Sequence, residues 1–175
     1  MQNTSDRKKE YLFLVLTILW MVFIFCMSQR SGPDSSGDSA FVSTILCRIF
    51  HPGFRDLNPE AKAAILARMS LPIRKTAHAA EYAVLGMLWL SWIRQRTRRK
   101  SRTGFFYLPH GAAISAWILS VMYAATDEFH QRFIPERSGE IKDVGVDALG
   151  ALIGILVLTC IFFSKASRRQ QKKPE

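Results

Sequence analysis

Cysteine is scarce in this chain of 175 residues: only Cys26, Cys47 and Cys160 occur. Three scattered thiols make neither a disulfide framework nor a zinc cluster. Cys26 and Cys160 sit in apolar runs, where a free thiol behaves as a small hydrophobe. There is no G-x-S-x-G elbow and no glycine-rich phosphate loop, so the common signatures of serine hydrolases and P-loop nucleotide binders are missing. No internal repeat is present, which sets aside solenoid architectures.

What the chain has instead is apolar length and positive charge. It is 49% hydrophobic with a net charge of +10. A basic protein of this size suits nucleic acid or a membrane surface, and the placement of the charges decides between them. Fourteen of the 24 Lys and Arg fall in three clusters, Arg7-Lys8-Lys9, Arg94 to Arg102 and Lys165 to Lys173. Each abuts the end of an apolar run, as the positive-inside rule requires. Only Asp6, Glu10 and Glu175 among the acids accompany them, whereas the remainder holds 10 basic and 11 acidic residues. Topology accounts for the basic clusters, and no nucleic-acid partner is expected.

Four runs are long enough to cross a bilayer, which takes roughly 20 helical residues. They lie at about 11–27, 76–93, 105–126 and 144–163, flanked by a basic N-terminus over 1–10 and a basic tail over 164–175. A cleaved signal peptide ending near Cys26-x-Ser28 competes with the first span, but the run is long and aromatic-rich, which favours a retained helix. Four spans put both termini on the basic, cytoplasmic side. Ser31–Ser39 reads as a Gly/Ser/Asp-rich turn. Phe41, Ile45, Leu46, Ile49 and Phe50 then recur at helical spacing behind Asp38 or Ser39 as N-cap. Another short helix is expected from Asn58 as cap, with Pro59 in its first turn and Ile65, Leu66 and Met69 on one face. Neither short helix can span, so both are expected to lie on the membrane or pack over the bundle. Only the last ten or so residues read as disordered. The predicted fold is all-α: an integral membrane bundle of four transmembrane helices plus short amphipathic extracytoplasmic helices.

Polar clusters gather at the outer edge of this bundle: Ser28-Gln29-Arg30; Arg74-Lys75 with His78, Glu81 and Tyr82; Asp127-Glu128 with His130, Gln131 and Arg137; and Asp143 with Asp147. Ionisable groups within a membrane are costly, and they are candidates for function by default. Candidate binding residues are Gln29, Lys75, Tyr82, Glu128, His130, Gln131, Arg137, Asp143 and Asp147. If the protein is an enzyme, Glu81, His78 and Asp127 are the acid/base candidates. Arg74, Lys75 and Arg137 suit a phosphate or pyrophosphate of a lipid-linked substrate. Blander readings stay open. His78 and Glu81 can simply fix helix packing, Asp143 and Asp147 can anchor a helix N-terminus, and the basic residues can snorkel to headgroups. The spacing matches no known metal-ligand signature, no metal is assigned, and the cofactor is unknown. Arg132, Glu136 and Glu140 read as solvated loop charges.

At these residues the chain resembles the VanZ-like family of small bacterial membrane proteins. The resemblance rests on Arg74-Lys75-x-x-His78-x-x-Glu81-Tyr82, on Asp127-Glu128-x-His130-Gln131-x-Phe133-x-Pro135-x-Arg137, on Asp143-x-x-x-Asp147-x-x-Gly150, and on Ser28-Gln29 at the end of the first span. It covers about residues 11–163. Glu136 stands where glycine is expected and Asp147 where asparagine is more usual. The resemblance implies a helical protein of the bacterial cytoplasmic membrane and a link to the cell envelope, the family's namesake being associated with low-level resistance to teicoplanin-type glycopeptides. The expected partners are membrane lipids, with a lipid-linked cell-wall precursor as the specific candidate. The expected role is a binding factor, with a lipid-modifying enzyme as the alternative.

Overall fold

The computed structural model describes residues 2–30, 32–100, 109–135, 137 and 139–171. Every regular element among them is helical. The five α-helices are α1 (Gln2–Ser28), α2 (Gly32–Phe50), α3 (Pro59–Lys100), α4 (Pro109–Gln131) and α5 (Ile141–Gln171), with one 3-10 turn at Phe54–Asp56. The all-α prediction holds.

The boundaries follow local chemistry. Pro52 and Gly53 stop α2, and Gly53 takes the left-handed conformation at φ 76° that reverses the chain. Asn58 caps α3 as expected: its Oδ1 accepts the Ala61 amide at 2.8 Å, which satisfies one of the otherwise orphaned donors of the first turn.

Three expectations are corrected. First, the expected turn at Ser31–Ser39 is helix from Gly32 onward, because α2 begins there and runs through the predicted cap at Ser39; Ser31 lies outside the described residues. Pro33 falls in the first turn, where its missing N–H costs no hydrogen bond. Second, the short helix from Asn58 and the span at 76–93 are one 42-residue helix, with Pro72 inside it. A mid-helix proline costs about 3 kcal/mol. Here strong helix formers precede it over 61–69, and packing of α2 against the same stretch holds the axis together. Third, Asp127–Gln131 belong to α4, so the connection to α5 starts only at Arg132. The tail is likewise helical as far as Gln171. The 105–108 portion of the expected third span, Glu136 and the last four residues of the tail lie outside the described residues.

Helix α3 is the hub, packed against α1, α2, α4 and α5. Its contact with α5 is close because both faces are small. A Cβ at Gly150 or Gly154 would collide with the backbone carbonyls of Ala79 and Ala83, the approach that small residues permit between membrane helices. Above this seam Tyr82, Leu85, Ile24, Ala124 and Ala151 form a buried core. Two side chains brace α1 across it: Trp20 Nε1 donates to the Glu81 carbonyl at 2.9 Å, and Tyr123 donates to the Met21 carbonyl at 2.6 Å.

Helix α2 docks on α3 through Ser39, Ser43 and Cys47, with the Cys47 thiol 3.2 Å from the Met69 sulfur. Its large apolar residues face outward instead, with Phe41 69% and Ile49 66% exposed. Exposed apolar side chains also cover α1, α4 and α5, among them Leu19, Phe23, Met122, Leu149 and Leu156. A contiguous apolar surface of this kind suits lipid rather than water. Among the described residues, two helical stretches, Thr4–Ser28 and Ile141–Arg168, are long and apolar enough to cross a membrane.

Candidate functional site

The helices alternate in direction, so the C-terminal end of α1, the middle of α3, the C-terminal turns of α4 and the N-terminal turns of α5 meet at one end of the bundle. Hydrogen bonds tie them together there. Ser28 Oγ donates to Asp127 Oδ2 at 2.8 Å, and Gln131 Nε2 donates to the same oxygen at 3.2 Å. All three side chains are buried. Asp127 and Gln131, four residues apart on α4, share a helix face. This places the acid against α1 rather than in solvent. Burial raises its carboxyl above the ordinary carboxylate range, while the Ser28 and Gln131 donors, Arg137 and His130 oppose the rise.

Behind this lock lies a hollow of about 160 Å³ between α3, α4 and α5. A single water needs only about 10–15 Å³, so this space suits a chemical group of several atoms. Of the twelve sequence-predicted residues, seven line it: Lys75, His78, Glu128, Gln131, Arg137, Asp143 and Asp147. Lys75 pairs with Asp143, and that carboxylate holds the ammonium pKa above its usual value. Glu128 accepts the Glu140 amide at 3.0 Å. Burial pushes its carboxyl up to about 7 despite that hydrogen bond. The Arg137 guanidinium is half-buried, and burial together with the nearby Arg74 charge lowers its pKa. Its Nε has no hydrogen-bond partner among the described residues, and neither does Oδ2 of the fully buried Asp147.

The other predicted residues are placed differently. Glu81 lines a second, smaller hollow of about 110 Å³ between the end of α1, α2 and α3. Its carboxylate lies 3.7 Å from His78 Nδ1, near enough for an ion pair but too long for a hydrogen bond. Tyr82 is fully buried in the core, its ring 6.2 Å from that of Tyr123, and it lines neither hollow. Asp127 sits beneath the hollows without lining them. Gln29 and His130 pair with each other at 2.9 Å on the outer flank, where the His130 ring lies tilted against Phe25 with centroids 5.0 Å apart.

Some residues of the site escaped the list of candidates. Ser28 is the direct partner of Asp127, and its place beside Gln29 at a span end was the available signal. Arg74, named in the sequence with Lys75 and Arg137 as a phosphate partner, did not escape, and it lines both hollows. Glu140, read as a solvated loop charge, lines the larger hollow and supplies the amide that Glu128 accepts. Leu71 and Val146 complete its wall, and nothing in their sequence context sets them apart from packing residues. Among the described residues no group of three or more His, Cys, Asp and Glu side chains is arranged to hold a metal ion.

No curated protein and no solved structure matches the chain. A family model described as VanZ/LLP1 matches residues 13–163, which takes in α2 to α4, most of α1 and α5, and both hollows. The chain is therefore a member of the VanZ/LLP1 family.

Proposed function

We propose that this protein is a four-span protein of the bacterial cytoplasmic membrane, with both termini in the cytoplasm, which binds a phosphate-bearing envelope lipid at its polar end. Such binding would alter exposure to glycopeptide antibiotics by withholding or masking an envelope component. The observation that carries the reading is the set of cations in the larger hollow. Arg74 and Arg137 converge on one partly enclosed space beside the Lys75–Asp143 pair, and Arg137 keeps an unpartnered Nε there. A guanidinium fork of this kind favours phosphate oxygens. The four-span topology is supported by the three basic clusters and by the apolar exterior of α1, α4 and α5.

The test is native mass spectrometry of lipid co-purifying with wild type and with Arg137→Ala. A phospholipid or polyprenyl phosphate retained by wild type and lost from Arg137→Ala is the expected result. Identical bulk lipid on both proteins would refute the reading.

An enzymatic reading rests on one observation, the approach of Glu81 to His78 in the smaller hollow. Retained lipid binding with lost turnover in Glu81→Gln would favour it. Parallel loss of both would leave recognition as the role of that side chain.

A further inference from the structure

The two hollows are not independent. Arg74, His78 and Arg137 line both, so a ligand lying against these side chains has access to each. The hollows differ in character. The smaller has Met27, Val42, Ile73 and Ala77 in its wall beside Arg30, Ser39 and Glu81. The larger is rich in carboxylates, with Glu128, Glu140, Asp143 and Asp147.

A ligand that is only a phosphate does not complete the polar groups of the larger hollow. Lys75 is taken up by Asp143. A phosphate between Arg74 and Arg137 would occupy the two guanidinium groups and bring no donor to Glu128, Glu140 or Asp147, which share the hollow. Asp147 is the sharper case. It is 1% exposed, it lines the hollow, and its Oδ2 finds no donor among the described residues. A buried carboxylate oxygen without a donor is costly unless a cation or N–H group completes it. A primary ammonium supplies three N–H donors and a positive charge in a compact group, whereas a trimethylammonium supplies the charge and no donor.

Building on the phosphate-binding reading, we infer that the ligand is an aminophospholipid-type amphiphile. Its phosphodiester lies at Arg74 and Arg137, its primary amine reaches Asp147 and Glu128 in the larger hollow, and its apolar chain leaves past Met27, Val42, Ile73 and Ala77. The sequence of groups along the ligand, amine then phosphate then chain, follows the order of the lining residues.

The experiment uses the full-length protein in a non-ionic detergent and measures binding of three lipids with identical chains: phosphatidylethanolamine, phosphatidylcholine and phosphatidic acid. Glycerophosphoethanolamine serves as the chain-free probe. Wild type is expected to prefer phosphatidylethanolamine over phosphatidylcholine by about tenfold, the scale of one charge-assisted hydrogen bond. In Asp147→Asn that ratio is expected to fall toward one. Ala77→Trp is expected to weaken the lipids and spare glycerophosphoethanolamine. Arg137-dependent binding of phosphatidic acid that matches or exceeds phosphatidylethanolamine would overturn this inference and leave the phosphate site standing. An unchanged ratio in Asp147→Asn would do the same. If none of the three lipids binds in an Arg137-dependent manner, the phosphate-binding reading falls with it.

Discussion

The hydroxyl of Ser28, at the end of α1, donates to the carboxylate of Asp127, 99 residues later on α4, at 2.8 Å. This contact fastens the first helix to the helix that carries the acidic cluster. Removing the donor in Ser28→Ala leaves a buried carboxylate oxygen dependent on Gln131 alone. The expected cost is about 1–3 kcal/mol, the usual penalty for an under-satisfied buried polar group. Thermal unfolding of the two proteins in the same detergent measures it. Equal midpoints would mean that the contact is incidental.

The α3–α5 seam makes a sharper prediction because it contains its own control. Ala at Gly154 would press a methyl group into the Ala83 carbonyl, whereas Ala at Gly145 meets nothing within 4 Å. Gly154→Ala is expected to destabilise by about 1–3 kcal/mol through overpacking. Gly145→Ala is expected to be neutral or stabilising by up to about 1 kcal/mol, since alanine is the better helix former. Similar behaviour of the two variants would contradict the seam.

Glu128 gives the edge a pH dependence with a definite sign. Its carboxyl is raised from 4.5 to about 7, by burial first and then by Asp143 and Asp127, against the Glu140 amide and Arg137. The native state therefore holds a proton that the unfolded chain has released. Stability from this group is fully present below about pH 4.5 and is lost as pH rises through about 7. Glu128→Gln is expected to flatten the stability profile between those values. A profile with the same slope in both proteins would exclude Glu128 as its source.

The Lys75–Asp143 pair is a weaker element than its position suggests. Its side chains keep 33% and 26% of their surface exposed, so water screens the attraction. A double-mutant cycle with Lys75→Met and Asp143→Asn is expected to give a coupling of about 1 kcal/mol or less. A much larger coupling would show the pair to be a structural clamp.

Much of this arrangement was legible in the chain. Each polar cluster lies beside the end of an apolar run, so helices of alternating direction had to bring Ser28, His78, Asp127 and Asp147 to one edge. Asn58 and Pro59 marked a helix start through side-chain chemistry that acts within one turn. Gly150 and Gly154 stand four residues apart, a spacing that puts two small residues on the helix face forming the close seam. What escaped depended on tertiary context. Pro72 is a local stop signal, overridden by the helical residues before it and by the docking of α2. The extra turns of α4 were hidden because Asp127 and Glu128 read as loop residues, although as helix they bind Ser28 and the Glu140 amide. The face α2 presents inward, Ser39, Ser43 and Cys47, is the small one, so hydrophobic spacing picked out its outer side. The sharing of Arg74, His78 and Arg137 between two hollows has no counterpart in sequence spacing.

The most direct test of the phosphate-binding edge is photo-crosslinking in native membranes. A photoreactive amino acid at Leu71, on the wall of the larger hollow, is compared with one at Ile114, on the apolar groove between α4 and α5. The captured lipids are then identified by mass. The expected result is a single class of phosphate-bearing lipid at position 71 that disappears in Arg137→Ala, alongside the bulk lipid mixture at 114 regardless of Arg137. The same mixture at both positions, unaffected by Arg137→Ala, would contradict a binding site at this end of the bundle.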